Sequence, residues 1–209
     1  MKQSLEVRHF PVADRIELRT SAATGTAEFR GYATVYDQWY DVAGGPDAGG
    51  WREMVTAGAA QRTLNAKPDV RLLINHEGEP LARTKSGTLL LEEDERGLIA
   101  TAPKLDLRDP DVQRIVYKME RGDMDEMSFA FRATRQEWNG EYTERRITEF
   151  ALDVQGSDVS IVTYPANPYT VAQLRAAAKI DELRANAVCS KGMTLDMARA
   201  IATQVRVHA

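Results

Sequence analysis

Runs of apolar residues, many of them alternating with polar ones, predict that most of the chain before residue 170 forms β-strands. The stretch 26–37 (TAEFRGYATVYD) is rich in β-branched and aromatic residues, which favours a strand, with Gly31 as a bulge or a point of close approach. A first strand is expected within 7–19. Similar runs predict further strands at 70–74, 87–91, 98–102, 127–134, 145–154 and 158–164.

Two segments in this region have helical periodicity. Residues 51–65 predict one helix, because their apolar residues recur near helical spacing. These apolar residues are Met54, Ala57, Ala60 and Leu64. A second helix is predicted over 111–121, opened by Asp109-Pro110 and ended by Gly122, since proline suits the first helical position and glycine the C-terminal cap. Between the helices, Pro80 predicts a turn.

The character of the chain changes near Thr170, where strong helix formers replace the strand signals. We therefore predict a β-rich domain over 1–170 and a helical C-terminal tail over 171–209. Runs of strands with segregated helices indicate an α+β fold rather than a doubly wound parallel sheet. The apolar residues of the tail fit either packing on the domain or binding to a partner helix.

Composition narrows the class of protein. The chain has 209 residues, 43% of them hydrophobic and 28% charged, and no apolar run reaches the roughly 18 residues of a membrane span, so we expect no membrane partner. The first fifteen residues lack the apolar stretch of a secretory signal. The single Cys189 argues against a disulfide framework or a cysteine zinc site and favours a reducing compartment. A net charge of -4 predicts no general nucleic-acid binding.

Histidine is scarce, so chemistry that needs an imidazole depends on His76. The other two histidines, His9 and His208, lie near the chain ends. His76 lies in the segment Asn75-His76-Glu77 at the end of the strand predicted at 70–74, and it is either a loop histidine with no catalytic role or a catalytic base. No second histidine stands at metal-ligand spacing, and no acidic loop has a Ca²⁺- or Mg²⁺-binding pattern, so neither a metal nor a cofactor is expected.

Ser128 is the candidate nucleophile. It lies between Met127 and Phe129 in an otherwise apolar strand, where a hydroxyl needs either a partner or access to solvent. A serine becomes nucleophilic when a histidine takes its proton and a third polar group orients the imidazole. Spacing along the chain alone leaves both the structural and the catalytic interpretation of Ser128 open.

Four segments, in order over residues 29–170, resemble the prohead maturation proteases of tailed bacteriophages. LLINHEGEPLARTKSGTLLLEEDERGL resembles their histidine-bearing segment, and ERGDMDEMSFAFRA resembles their nucleophile segment. RRITEFALDVQGSDVSIVTYPANPYT resembles their closing strand pair, and FRGYATVYDQWYD fits their first strand. The order and intervals of the four segments make the resemblance specific.

The resemblance implies a fold and a set of site residues. The family is similar in fold to the herpesvirus assemblins, which implies a mostly antiparallel barrel of about seven strands with flanking helices. It implies a serine endopeptidase with Ser128 as the nucleophile and His76 as the general base. Glu149, on the strand after the nucleophile strand, is the third member, and Asp153 and Asp158 are the reserves. Backbone N–H groups near the Arg145-Arg146 pair are the expected oxyanion donors.

The resemblance also implies partners and a location. The expected substrates are the scaffold protein, the N-terminal region of the major capsid protein and the protease itself, inside the assembling prohead in the bacterial host cytoplasm. A homodimer or a higher assembly is expected there. Two alternatives remain at this point: a non-catalytic prohead scaffold or assembly protein with the same barrel, and a carboxylate-based hydrolase with a bound metal.

Overall fold

The computed structural model describes residues 5–10, 17–153 and 155–163. These residues form twelve strands, two α-helices and a 3₁₀ turn at Pro46–Ala48. The strands are β1 (Glu6–Phe10), β2 (Glu17–Ser21), β3 (Thr26–Val35), β4 (Tyr40–Val42), β5 (Trp51–Val55), β6 (Arg71–Ile74), β7 (Glu77–Arg83), β8 (Leu90–Glu93), β9 (Gly97–Asp106), β10 (Glu126–Trp138), β11 (Glu144–Ala151) and β12 (Asp158–Val162). The helices are α1 (Gln61–Asn65) and α2 (Pro110–Glu120).

The chain divides into two compact units. The described residues of the first unit lie within Met1–Gln38, Val55–Gln136 and Ile147–Ala166. Those of the second lie within Trp39–Met54 and Glu137–Arg146. The predicted helical tail and the predicted boundary at residue 170 lie outside the described residues and stay predictions.

One sheet of the first unit brings together strands that are distant in sequence. β10 pairs antiparallel with β1 and with β12. β12 pairs in parallel with β6, which continues into the antiparallel strand β7. This mixed order places β12 between the strand that precedes His76 and the strand that carries Ser128.

The second sheet of this unit is antiparallel, in the order β2-β3-β9-β8. Gly31 pairs in register with Ala100, while the register shifts lie between Ala27 and Phe29 and between Tyr32 and Thr34. The predicted bulge therefore flanks Gly31 on both sides instead of falling on it.

The β-rich prediction is confirmed, but the closed barrel is wrong. The described strands form open sheets, one mixed and one antiparallel, since β2 and β8 end the antiparallel sheet and β7 is the last strand of the mixed one. Pro80 lies inside β7 and not in a turn. An edge strand tolerates proline because its outward N–H makes no ladder hydrogen bond.

An aromatic cluster fills the core beneath one face of β10. Phe129 and Phe131 stack with ring centroids 4.3 Å apart, and Phe150 meets both edge-on at 5.3 and 5.7 Å. Because side chains alternate along a strand, Ser128 and Ala130 point to the opposite face. The core thus fixes β10 and turns Ser128 toward the other side of the sheet.

The helix prediction over 51–65 is largely wrong. Its first part is the strand β5, where alternate residues are buried, and only Gln61–Asn65 is helical. The spacing of the apolar residues Met54, Ala57 and Ala60 matches a helical period, although Met54 lies in a strand and the two alanines lie in the following turn. By contrast, α2 matches its prediction: Asp109 caps it by accepting a hydrogen bond from the Asp111 N–H.

In the second unit, Trp51 is buried against Val42, Ala43 and Trp138. Beside it, the fully buried Glu53 accepts hydrogen bonds from Tyr40 at 2.6 Å and from the Trp51 indole at 3.2 Å. Within the described ranges, no helix has the length and apolar character needed to cross a membrane.

Candidate active site

Three neighbouring strands carry the polar side chains of the candidate site. On β12, Ser160 pairs with Ser128 of β10 on one side and with Leu73 of β6 on the other. Asp158 and Ser160 are two residues apart, so their side chains share a face of β12. Paired residues of neighbouring strands also share a face, which places Ser128 beside them.

His76 lies in a tight turn between β6 and β7. Ile74 pairs with Glu77, and the two residues between them, Asn75 and His76, have φ angles of 53° and 60°. Positive φ at both central positions is the mark of a type I′ hairpin turn. Asparagine is one of the few residues other than glycine that enter this region readily.

The side chain of Asn75 ties this turn to the end of β12. Its amide donates to Thr163 Oγ1 at 3.0 Å, and its oxygen accepts from the Thr163 N–H at 2.9 Å. The backbone N–H of Asn75 donates to the carbonyl of Ile161 at 3.0 Å. These bonds hold His76 against the strand that carries Asp158.

The imidazole of His76 bridges a hydroxyl and a carboxylate. Its Nε2 lies 2.6 Å from Ser128 Oγ, and its Nδ1 lies 2.7 Å from Asp158 Oδ1. Because a carboxylate only accepts, Nδ1–H donates to Asp158 and leaves the Nε2 lone pair to accept the Ser128 proton. Ser128 is 0% exposed and Asp158 5%, so water weakens these contacts little.

Ser160 adds a second layer of contacts. Its hydroxyl donates to Asp158 Oδ1 at 2.6 Å and accepts from the backbone N–H of His76 at 3.1 Å. It lies 3.3 Å from His76 Nδ1 and is fully buried. Sequence reasoning missed Ser160, although a polar residue two positions after Asp158 in an apolar strand is a signal of a shared polar face.

The hydroxyl of Ser128 has a further neighbour on β1. It lies 2.9 Å from the carbonyl oxygen of Arg8, which can accept the same single proton that His76 would take. Sequence reasoning also missed this contact, because nothing in residues 5–10 indicates pairing with β10.

A buried hydroxyl, an imidazole and a carboxylate in this order can carry out nucleophilic acyl transfer. The imidazole removes the hydroxyl proton as the oxygen attacks a carbonyl carbon, and the carboxylate stabilises the imidazolium that forms. The arrangement is recognised by geometry and not by the order of residues along the chain.

Comparison with protein families matches residues 14–185 to the caudovirus prohead serine proteases. The match covers most of the chain. This chain belongs to the caudovirus prohead serine protease family. This assignment confirms the resemblance found in the sequence. It supports a role of the chain as a protease of bacteriophage capsid maturation.

Among solved structures, this prohead protease family member is similar to the bacteriophage T4 capsid assembly protease, gp21. The two share 8% sequence identity with a TM-score of 0.46, over 77% of this chain and 99% of the T4 chain. The comparison with curated proteins found no match.

The structure places Glu149 away from His76. Its carboxylate accepts hydrogen bonds from Thr134 at 2.7 Å and from Arg62 at 2.8 Å, and these partners, Thr134 first, lower the pKa of Glu149. Thr134 lies six residues beyond Ser128 on β10, roughly 20 Å along a strand. Of the expected carboxylates, the geometry brings Asp158 to the imidazole and gives Glu149 a surface ion pair instead.

Each of the other predicted site residues of this prohead protease family member has its own contacts in the structure. Asp153 lies 3.5 Å from Arg132 in a partly exposed ion pair. Arg145 and Arg146 belong to the second unit, where the fully buried Arg145 binds Glu53 at 2.7 Å. The guanidinium of Arg146 lies 5.4 Å from the centre of the Trp39 ring. The expected oxyanion donors near this pair stay a prediction.

In the described part of the chain, no three His, Cys, Asp or Glu side chains are grouped closely enough to hold a metal ion. The acidic residue at the site, Asp158, is bound by Ser160 and His76.

Proposed function

We propose that this chain is a serine endopeptidase that cleaves proteins of the assembling phage prohead. Ser128 is the nucleophile, His76 is the general base, and Asp158 is the third member in place of Glu149. The single observation that supports these roles is the continuous chain of contacts Ser128 Oγ–His76 Nε2 and His76 Nδ1–Asp158 Oδ1, at 2.6 and 2.7 Å.

The reaction takes two acyl-transfer steps. Ser128 Oγ bonds to the scissile carbonyl carbon while its proton passes to His76 Nε2, and Asp158 stabilises the imidazolium through Nδ1–H. His76 then gives that proton to the leaving amine as the peptide C–N bond breaks. A water molecule, deprotonated by His76, attacks the acyl-enzyme and releases the new carboxylate with the serine restored.

The proposed substrates are the scaffold protein and the N-terminal region of the major capsid protein, with cleavage of the chain itself as well. Membership in the prohead protease family supports these partners and a location inside the assembling capsid in the host cytoplasm. A homodimer or a higher assembly in the prohead is part of the same proposal.

The direct test is covalent labelling with a fluorophosphonate, which reacts only with an activated serine. We expect the wild-type chain to carry one label on Ser128, located by peptide mass spectrometry. Ser128→Ala should carry none, and Ser86→Ala, which alters an exposed surface serine bonded to the Arg83 carbonyl, should label as the wild type does. Equal labelling of Ser128→Ala and wild type would overturn the proposal.

Labelling should coincide with cleavage. Co-expression with the capsid and scaffold proteins of the same phage should yield shortened products with wild type and full-length proteins with Ser128→Ala. Cleavage at the same rate by both forms would show that another group is the nucleophile.

A further inference from the structure

Glu126 and Ser128 lie on the same face of β10. They are two residues apart in a stretch, residues 126–130, that pairs with β12 without a register shift, so their side chains point to the same side of the sheet. Their Cα atoms are roughly 7 Å apart along the strand. Glu126 is therefore a neighbour of the nucleophile on the face that also carries Asp158.

The carboxylate of Glu126 is unpaired in the part of the chain that the structure describes. There, its Oε2 is buried without a hydrogen-bond partner, and no cationic side chain forms an ion pair with it. The residue as a whole is partly exposed, so it lies at the boundary between the interior and the solvent. Most buried polar atoms are hydrogen-bonded, because leaving an acceptor unpaired away from water costs free energy.

The surroundings of Glu126 disfavour a lone negative charge. Burial raises the pKa of Glu126, and the nearby charge of Asp125 raises it further. Its register partner on β12 is the apolar Val162, which is 2% exposed. A cation placed beside the carboxylate would be held strongly, since little water competes for it. A charge that destabilises the free protein in this way is typical of groups that bind a ligand.

The nearest cation on the same face of β10 is engaged elsewhere. Arg132 lies six residues beyond Glu126, roughly 20 Å along the strand, and forms an ion pair with Asp153 at 3.5 Å. The charge that Glu126 lacks must therefore come from a bound molecule.

We propose that Glu126 is a specificity-determining residue that binds the cationic group of a Lys or Arg side chain next to the scissile bond of the substrate. The inference rests on the proposed function of Ser128 and adds the chemical class of its substrate. A residue that flanks the scissile bond has its Cα within two bonds of the attacked carbonyl carbon. Its extended Lys or Arg side chain is long enough to span the distance between Ser128 and Glu126. A substrate without that cation leaves the carboxylate unpaired in the complex, and such a site rejects it.

The first test maps the cleavage sites. The wild-type chain is co-expressed with the capsid and scaffold proteins of the same phage, and the new chain ends are identified by mass spectrometry. We expect Lys or Arg at one of the two residues that flank each cleaved bond. Sites flanked by neither residue would overturn the inference and leave Ser128 as the nucleophile.

The second test removes the charge from each side of the contact. In an eight-residue peptide that spans a mapped site, norleucine replaces the basic residue and keeps an apolar stem without the charge. The wild type should cleave the parent peptide with a kcat/KM roughly 10- to 100-fold above that of the norleucine peptide, the effect of a hydrogen bond between charged groups. In Glu126→Gln this ratio should fall nearly to unity. An unchanged ratio in Glu126→Gln would overturn the inference.

The matched control is Asp125→Asn. Asp125 is the exposed acid directly before Glu126, so this variant removes the same charge from the neighbouring position and leaves the Glu126 carboxylate in place. It should keep most of the preference for the parent peptide, because an exposed charge is screened by water. An equal loss of preference in Asp125→Asn and Glu126→Gln would indicate a general effect of acidic charge and overturn the specific role of Glu126.

Peptide binding without catalysis separates this inference from the proposed function. Fluorophosphonate labelling of the wild type decides whether Ser128 is the nucleophile, and it does not depend on a basic side chain. Binding of the parent peptide to Ser128→Ala, measured by fluorescence anisotropy, decides the role of Glu126 even if no form labels. Ser128→Ala should bind this peptide at least roughly tenfold more tightly than Ser128→Ala/Glu126→Gln does. Equal affinities of the two variants would overturn the binding of a cation by Glu126.

Discussion

Ser160 donates a hydrogen bond to the carboxylate of Asp158 at 2.6 Å, and both residues lie on one face of β12. The same carboxylate oxygen is bound by His76 Nδ1, while the Ser160 oxygen accepts from the His76 backbone N–H. Ser160 therefore fixes the position of both the acid and the histidine. We interpret it as a positioning residue, since its hydroxyl bonds to Asp158 and to the backbone of His76.

Ser160→Ala should lower kcat by roughly 10- to 100-fold, the effect of losing a hydrogen bond to a charged group, and leave KM nearly unchanged. The measurement is cleavage of a capsid-derived peptide at several concentrations. The matched control is Ser157→Ala, because the buried Ser157 hydroxyl has no hydrogen-bond partner in the described structure. Its loss should leave kcat unaltered and stability equal or higher. A parallel fall of kcat in both variants would contradict the positioning role.

Asp158→Asn should lower kcat by about 10⁴-fold, because an amide can donate to Nδ1 and so favours the imidazole tautomer that cannot accept the Ser128 proton. Glu149→Gln serves as the comparison, since Glu149 binds Thr134 and Arg62 at the surface. It should keep nearly full activity. The reverse ranking of the two variants, in fluorophosphonate labelling or peptide cleavage, would restore Glu149 as the third member.

The choice between these two carboxylates shows where the sequence stops being informative. Ser128 and His76 were named from motifs, and the structure brings their side chains into contact. The identity of the third catalytic residue depends on which strand lies next to the strand that precedes His76. That neighbour is β12, through a parallel pairing with β6, and the chain between them is more than eighty residues long. Local sequence patterns do not indicate which distant strands pair with each other.

Strand assignments succeeded where alternation was long or where a short run was mostly apolar, as in β6 and β12, and failed at β5. β3 and β10, of ten and thirteen residues, show enough alternation to be recognised. β5 has five residues, and its buried positions include the polar Glu53, so its period of two was hidden. Glu53 is buried there because Arg145 pairs with it from a distant part of the sequence.

Asn75→Ala should destabilise the chain and reduce activity together. Alanine at a φ of 53° is strained, and the variant also loses the side-chain bonds to Thr163. We expect a loss of about 1–3 kcal/mol in the free energy of unfolding, measured by urea denaturation. Asn75→Gly separates the two effects, because glycine accepts the positive φ and loses only the bonds to Thr163. If both variants lost the same stability, strain at this turn would have no part in holding His76.

We expect the loss of activity in Asn75→Ala to come from the changed position of His76 at the β6–β7 turn and not from the lower stability of the whole fold. Asp37 also has a positive φ, 54°, and lies just after β3. Aspartate, like asparagine, enters this region more readily than alanine, so Asp37→Ala introduces comparable strain outside the site. It should lower stability while kcat at a permissive temperature stays near that of the wild type. A similar fall of kcat in Asp37→Ala would point to a global cause.

Glu126→Gln should stabilise the chain at neutral pH. Glu126 lies two residues before Ser128, and its Oε2 is buried without a hydrogen-bond partner in the described structure. Burial raises the pKa of Glu126, and the nearby charge of Asp125 raises it further. A carboxyl whose pKa is higher in the folded than in the unfolded state binds more protons when folded, so its contribution to stability falls as the pH rises through that interval. The melting temperature of Glu126→Gln should exceed that of the wild type near pH 7, and the difference should shrink below about pH 4, where the carboxyl is neutral in both states. The matched control is Glu137→Gln, an exposed position on the same strand, which should keep a melting temperature close to that of the wild type near pH 7. A melting temperature that rises with pH in the wild type relative to Glu126→Gln would reverse the sign and contradict the burial of an unpartnered charge.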